Sequence, residues 1–125
     1  MPFHYANYRL ILMTGLLCLT ISLPAAEAEP GVDLNAAIDL YRTEGADTAL
    51  PEFKRLYSTY VVQDDLANAA RVDRYIGESH WRLGDYKLSR SHLERALETM
   101  HSRGLRLEEG KTLNVLGLLQ WDIGN

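Results

Sequence analysis

The chain has 125 residues, a formal net charge of −4, 46% hydrophobic residues and 24% charged residues, a composition typical of one soluble globular domain. This balance excludes intrinsic disorder and the collagen and coiled-coil extremes, and the acidic charge argues against a nucleic-acid-binding domain. The single cysteine, Cys18, excludes an internal disulfide, a cysteine-rich zinc site and a redox CxxC pair.

The N-terminal segment, 1–28, has the three-part pattern of a secretory signal peptide. An uncharged apolar run over residues 10–23 follows Arg9 and precedes the small-residue pattern at 26–28. As a helix this run would be about 21 Å long, whereas the hydrocarbon core of a bilayer is about 30 Å thick, so cleavage is favoured over a permanent span. We expect an exported protein, periplasmic or secreted, that starts at residue 29. The alternative is an uncleaved N-terminal segment that anchors the chain in the membrane.

Beyond the leader, the chain repeats at an offset of 40 positions. A pattern of glycine, tryptophan and glycine occurs twice at this offset, and because the chain has two tryptophans in all, the coincidence is improbable. The same offset reaches back to a small residue and an aromatic in the first unit. Such a repeat predicts stacked units, here residues 33–63, 64–104 and 105–125, the last one truncated. The matching positions are Gly77, Trp81 and Gly84 with Gly117, Trp121 and Gly124, preceded by Ala37 and Tyr41.

Each unit reads as two helices, and the sequence predicts an all-α fold. Apolar residues recur at helical spacing, and alternation typical of a strand is confined to the pair Val61-Val62. Gly84 is expected to end one helix in the left-handed conformation, and Asp85 to cap the next one. Asp64 or Asp65 is expected to cap the helix before them. The predicted helices cover about 33–43, 48–60, 66–83, 86–102 and 107–124.

The second unit resembles the tetratricopeptide repeat, a helix-turn-helix of about 34 residues. The residues that carry the resemblance are Ile76-Gly77, Gly84-Asp85-Tyr86, Ser89, Leu93 and Ala96-Leu97. The chain departs from the usual repeat of this family in its period of 40 and in the absence of the usual proline at the end of the second helix. The longer period is similar to that of a long-period subclass of the family. The resemblance implies a short right-handed α-solenoid that is incomplete at its C-terminus.

The repeated glycines and aromatics are interpreted as packing residues. Gly77 and Gly117 would allow neighbouring helices to approach closely, and Trp81 and Trp121 would fill the space between units. A ligand-stacking role is the alternative for the two tryptophans. The predicted packing positions are Ala37, Tyr41, Gly77, Trp81, Gly84, Tyr86, Leu93, Ala96, Gly117, Trp121 and Gly124.

No catalytic, cofactor or metal site is predicted, so we do not expect an enzyme. His80, His92 and His101 form no HxxxH or HExxH pair, and the chain has no GxSxG motif and no phosphate-binding loop. His80 is expected to be a core histidine. The pair Glu108-Glu109 falls at a predicted helix start, where the helix dipole accounts for it.

A stripe of polar residues follows the first helices of the units. By the resemblance, this face lines the groove in which the family holds extended peptides, which implies a protein or peptide partner. The basic members would favour an acidic segment or a C-terminal carboxylate, and a solvated charged face is the alternative. The stripe consists of Arg71, Arg74, Glu78 and Arg82 in the second unit, Lys111 and Asn114 in the third, and Arg42 in the first.

The third unit ends at Gly124-Asn125. These residues match Gly84-Asp85, which precede the second helix of the second unit. We therefore expect the last helix to expose an apolar face, because neighbouring helices bury one another in repeat proteins. Three explanations are a fragment of a longer protein, which we favour, a dimer formed through the last helix, and a shortened gene product.

The sequence thus predicts a non-catalytic exported scaffold that binds a protein or peptide, with no nucleic acid and no stable membrane span after cleavage. The alternative is an N-terminal sensing or recruitment module of a longer enzyme. Exported repeat arrays of this type resemble the front ends of sensor kinases, nucleotide cyclases and caspase-like peptidases.

Overall fold

The computed structural model describes residues 33–125, so the predicted leader lies outside the described residues. The described part is all-α, with five helices and no strand, and each helix packs against the next one in the chain, as in a helical repeat stack. The third and fifth helices are also in contact. The helices are α1 (Leu34–Thr43), α2 (Ala46–Val62), α3 (Leu66–Arg82), α4 (Tyr86–Ser102) and α5 (Arg106–Gly124).

The helix starts follow from short polar side chains in front of apolar runs. The Asp33 carboxylate accepts a hydrogen bond from the Ala36 amide, and the Asp65 carboxylate accepts one from the Asn68 amide. The predicted cap of α3 is therefore Asp65. The backbone hydrogen bond from Asn68 lowers the pKa of Asp65, so this cap stays ionised down to a lower pH.

One sequence prediction at a helix end was wrong, and one helix is longer than predicted. Asp85 occupies the N-cap position of α4, but its side chain makes no capping hydrogen bond there; instead its Oδ2 lies 3.8 Å from Nδ1 of His80. Helix α2 continues two residues past its predicted end at residue 60 and includes the pair Val61-Val62. The helical apolar pattern before it extends the helix to Val62, so β-branching does not decide its conformation.

The turns repeat as the sequence does. Gly84 and Gly104 have φ of 81° and 67°, the left-handed region that the helix ends were predicted to need. Asp64 stands 40 positions before Gly104 and has φ of 57°. Asp64 and Gly104 each follow the second helix of a pair, so the two inter-unit turns share a backbone conformation although one of them lacks glycine.

The apolar core falls into three clusters along the stack. The largest joins α1, α2 and α3 around Phe53 and Ile76. A small cluster of Ala70, Ala96 and Met100 joins α3 to α4. The third places Leu93 of α4 against Val115 and Leu119 of α5. The cluster between α3 and α4 is thus built mainly from alanines, and the two helices also meet at Gly77 and Leu93.

Gly77 is the point of closest approach between α3 and α4. A β-carbon built on Gly77 would lie 2.7 Å from Cγ of Leu93 and 3.2 Å from the carbonyl oxygen of Ser89. Since Leu93 is fully buried, it has no free space into which to move. A side chain at this position would therefore force Leu93 or one of the helices to shift.

The predicted packing positions divide into two groups. Ala37, Tyr41, Gly77, Leu93 and Ala96 are buried, and Trp81 is partly buried against Leu93, with Nε1 donating to Oδ2 of Asp122 at 2.6 Å. Gly117 and Trp121 depart from the prediction, because a β-carbon on Gly117 would meet no atom within 4 Å and Trp121 is 71% exposed. Helix α4 packs on one side of α3. Within residues 33–125, no helix packs on the equivalent side of α5. Gly84, Tyr86 and Gly124 were also predicted to be packing positions, but they are exposed because they lie at helix ends.

Gly77→Ala and Gly117→Ala form a matched pair of substitutions at equivalent repeat positions. Alanine favours a helix over glycine by about 0.5–1 kcal/mol, so Gly117→Ala is expected to stabilise the fold by roughly that amount. Gly77→Ala adds a methyl group to a filled space, and overpacking of this kind costs about 1–3 kcal/mol, so a net loss of about 1–2 kcal/mol is expected. Urea denaturation followed by circular dichroism measures both changes. Equal effects of the two substitutions would contradict this account of the α3–α4 contact.

Candidate functional site

The first helices of the three pairs line one surface groove of about 230 Å³. Helix α1 supplies an apolar wall, whereas α3 and α5 supply mainly basic and aromatic side chains. We name this space the α1–α3–α5 groove. Its lining residues are Leu34, Asn35 and Ile38 of α1, Arg71, Arg74 and Tyr75 of α3, and Glu108 and Lys111 of α5.

Arg74 is the fixed cation of the groove. Its Nη1 donates to Oε1 of Glu78, its Nη2 lies 3.8 Å from Oε2 of Glu108, and its guanidinium carbon lies 4.2 Å from the centroid of the Tyr75 ring. Burial lowers the pKa of Arg74, but the Glu78 carboxylate and the contact with Tyr75 outweigh it, and the pKa is raised overall. Within the described part of the chain, Nε of this buried side chain has no hydrogen-bond partner. Arg74 therefore stays charged, and its Nε is enclosed by protein without a hydrogen-bond partner among the described residues.

Glu108 lies between two cations of the groove. Lys111 Nζ donates to Oε1 of Glu108 at 3.1 Å, and Arg74 approaches the other carboxylate oxygen. Glu108 lies in the first turn of α5, as the helix-dipole interpretation requires, but its contact with α3 was not predicted. Its carboxylate shows that an anionic group fits between Arg74 and Lys111, and it also neutralises part of their charge.

The structure brings together part of the predicted polar stripe. Arg71 lines the groove with Arg74 and Lys111, and its Nη1 donates to Oδ1 of Asn68 at 2.8 Å. The other stripe residues lie outside the groove lining. Glu78 accepts a hydrogen bond from Arg74, and Arg82 lies at the end of α3. Arg42 is exposed, with Nη1 3.6 Å from Oδ1 of Asp39. Asn114 is exposed on α5.

Arg82 covers a buried aromatic group next to the groove. Its guanidinium carbon lies 4.6 Å from the centroid of the Tyr41 ring, and that ring meets Phe53 and Tyr75 edge to face. Burial raises the pKa of Tyr41 to about 12, and the charge of Glu78 contributes to the rise. Tyr41 is therefore a neutral packing residue at physiological pH, and Arg82 stabilises the ring by a cation–π contact.

A second polar cluster lies between α3 and α4. Asp73 is 1% exposed and accepts hydrogen bonds from Nε and Nη2 of Arg95, both at 2.6 Å, and from Nδ1 of His92 at 2.7 Å. The hydrogen bond to Asp73 raises the pKa of Arg95. Arg95 also lies over the Tyr57 ring of α2, at 4.9 Å from its centroid. Both oxygens of the buried carboxylate are thus paired by side chains of α4.

Sequence reasoning predicted the basic side chains of the groove. It missed the contact of Glu108 with Arg74 and the pairing of Asp73 with Arg95. Asp73 and Arg95 belong to different helices, and no spacing rule for one helix relates them. A signal was present in the repeat itself, because the residue 40 positions after Asp73 is Leu113. A charged residue at a position that is leucine in the next unit indicates a buried ion pair.

No protein-family model, no curated protein and no solved structure matches the chain. The tetratricopeptide resemblance therefore rests on the residues quoted above.

Among residues 33–125, no helix combines the length and hydrophobicity needed to cross a bilayer. The same residues contain no group of three or more histidine, cysteine, aspartate or glutamate side chains placed to hold a metal ion.

The Asp73–Arg95 pair gives a stability prediction with an internal control. Arg95→Ala leaves the buried Asp73 carboxylate without its main partner, and we expect a loss of about 2–4 kcal/mol, since Arg95 itself is half-exposed. The double variant Asp73→Leu, Arg95→Leu removes both charges and is expected to fall within about 1 kcal/mol of the wild type. Urea unfolding at pH 7.5 measures both, with the exposed pair of Arg90 and Gln120 tested by Arg90→Ala as the control. A double variant as unstable as Arg95→Ala would show that the pair is not the cause.

Proposed function

We propose that this protein is a non-catalytic, exported scaffold of tetratricopeptide-like repeats that binds a peptide segment of a partner protein in the α1–α3–α5 groove. The observation that carries the proposal is the groove itself, to which each of the three repeat units contributes its first helix. A groove of about 230 Å³ has room for one or two side chains of a ligand, so an extended segment would use it as an anchor point.

The two walls of the groove indicate the chemistry of the segment. Leu34 and Ile38 offer apolar contact on one side, while Arg71, Arg74 and Lys111 offer cations on the other. Arginine and lysine bind carboxylates by charge-assisted hydrogen bonds. We therefore propose a segment that ends in an apolar residue followed by acidic residues or a free C-terminal carboxylate.

Peptide binding tests the groove. Fluorescein-labelled hexapeptides ending in Leu-Asp-Asp are titrated by fluorescence polarisation, with an amidated version and a Leu-Asn-Asn version as probes of charge. Arg71→Ala with Lys111→Ala is expected to lower the affinity at least about tenfold, because each charge-assisted bond is worth roughly 1.5–3 kcal/mol. Glu108→Gln is expected to raise the affinity, because it removes the carboxylate that competes for Arg74 and Lys111.

The matched control for this experiment is Arg42→Ala. Arg42 belongs to the predicted stripe and is exposed, but it does not line the groove. It should leave the affinity within about twofold of the wild type. If Arg42→Ala weakens binding as much as the groove variants do, the effect comes from net charge and the groove assignment fails. Equal binding of all three peptides would also contradict it, because neither the aspartates nor the C-terminal carboxylate would then contribute.

We also propose that two copies associate through the outward side of α5. This side presents Gly110, Leu113, Asn114, Gly117 and Trp121 at helical spacing, with Leu113 51% exposed and Gly117 open to close approach. These five residues carry no charge, so two copies can meet in a two-fold arrangement without repulsion between like charges at these positions. A helix of 19 residues is about 28 Å long, and two such sides would bury on the order of 1,000 Å², the lower end for a specific interface. The expected dimer is therefore weak, with a dissociation constant in the micromolar range.

Sedimentation velocity over about 1–200 μM tests the dimer. Leu113→Glu is expected to keep the protein monomeric over this range, because it places a charge at the centre of the contact. Leu88→Glu is the matched control, since Leu88 is similarly exposed but lies on α4. A wild type that stays monomeric at the highest concentration, or equal effects of the two variants, would contradict dimerisation through α5.

A further inference from the structure

The outward side of α5 alternates small and large residues. A β-carbon built on Gly110 or Gly117 would meet no atom within 4 Å, so both positions leave room for a neighbouring helix. The large residues on the same side, Leu113 and Trp121, are 51% and 71% exposed. In chain order this side therefore reads small, large, small, large. It offers both the gaps and the side chains that can fill them.

This order is complementary to itself when two copies of α5 run antiparallel. Leu113 and Gly117 lie two residues on either side of residue 115, and Gly110 and Trp121 lie five and six residues from it. With a two-fold axis at residue 115, each large residue of one copy falls opposite a glycine of the other, to within one residue. In a parallel pair each residue would instead face its own counterpart, so Trp121 would meet Trp121 of the second copy and the glycines would face each other across a gap.

Two further observations favour the antiparallel arrangement. Leu93 of α4 already packs over Gly77 of α3, and Gly117 stands 40 positions after Gly77 in the repeat. The second observation is the charge of Arg106, which precedes Gly110 by four residues and is exposed at the start of the same side of α5. A parallel pair would bring the two Arg106 side chains together, whereas the antiparallel pair separates them by about 28 Å along the helix axis.

The antiparallel arrangement also determines where the two α1–α3–α5 grooves open. A two-fold axis that relates antiparallel helices is perpendicular to both helices and to the line that joins them, so it keeps corresponding flanks of the two copies on one face. Lys111 lines the groove and follows Gly110 by about 100° round α5, so the groove opens on a flank of the contact. Both grooves would therefore open on the same face of the dimer, on the order of 30 Å apart. A parallel pair would turn them to opposite faces.

We propose that two copies pair through α5 in this antiparallel arrangement and that the ligand is bivalent, a partner that presents two of the apolar and acidic segments to the two grooves. This inference rests on the dimer and the groove of the proposed function. Each groove, of about 230 Å³, admits one or two side chains, so a single segment has few contacts. A flexible link between two segments makes the second binding event intramolecular, at an effective concentration of about a millimolar, so affinity rises without any new contact.

Spin-label distances test the arrangement of the two copies in the full chain, with Cys18→Ser removing the native thiol. The labels are carried by Leu107→Cys and by Gly124→Cys, at exposed positions near opposite ends of α5. At about 200 μM, a mixture of the two labelled variants is expected to give distances below about 20 Å between unlike sites, and each variant alone about 25–30 Å. Adding Leu113→Glu should abolish the coupling between copies.

The reverse pattern, with short distances within each labelled variant, would show a parallel pair and overturn the proposed arrangement while leaving the dimer intact. No coupling between copies of the chain without Leu113→Glu would overturn the dimer and its arrangement together.

Peptide valency tests the ligand. The probe consists of two hexapeptides ending in Leu-Asp-Asp, joined at their N-termini by a flexible linker of about 30 glycine and serine residues, whose average span is about 30 Å. It is expected to bind the wild type at least about tenfold more tightly than one hexapeptide does. Leu113→Glu is the matched control, because Leu113 does not line the groove, and this variant should bind both probes within about twofold of each other.

A gain of twofold or less in the wild type, or an equal gain in Leu113→Glu, would overturn the bivalent ligand. Failure of the single hexapeptide to bind would instead overturn the groove and with it the ligand, and the spin-label distances would still decide the arrangement of the two copies.

Discussion

The close approach of α3 and α4 at Gly77 is the contact on which much of the described structure depends. Leu93 fills the space that a side chain at Gly77 would occupy, and it then reaches Val115 and Leu119 of α5. One buried leucine thus links three helices. If the two helices stood further apart, Leu93 would lose its contact with the Gly77 backbone, and the void would cost packing energy in both adjoining clusters.

The same close approach sets the polar contacts between α3 and α4. Asp73, Gly77 and His80 are spaced by four and three residues, so they lie on one side of α3 and face α4 together. A hydrogen bond of 2.6 Å between Asp73 and Arg95 tolerates little further separation of the helix axes. The same holds for the stacked rings of His80 on α3 and His92 on α4, whose centroids are 5.4 Å apart. The glycine therefore has two consequences, since it permits apolar packing and it brings buried charges within bonding distance.

The sequence predicted the parts of the structure that every unit shares. Helix bounds, the left-handed glycines and the burial of Gly77 and Leu93 follow from periodicity and from the offset of 40 positions. The Asp73–Arg95 pair is specific to the second unit, where Asp73 stands in place of a leucine, and partners on different helices have no fixed spacing in sequence. For the same physical reason, Arg71, Arg74 and Lys111 were predicted for the groove, but their neighbour Glu108 was assigned only to a helix end.

Helix α3 contributes to both the polar contacts with α4 and the α1–α3–α5 groove, through residues that are adjacent in the chain. Asp73 points to α4, and Arg74, about 100° further round the helix, points into the groove towards Glu108. The position of α3 therefore sets both the buried ion pair with Arg95 and the main cation of the groove.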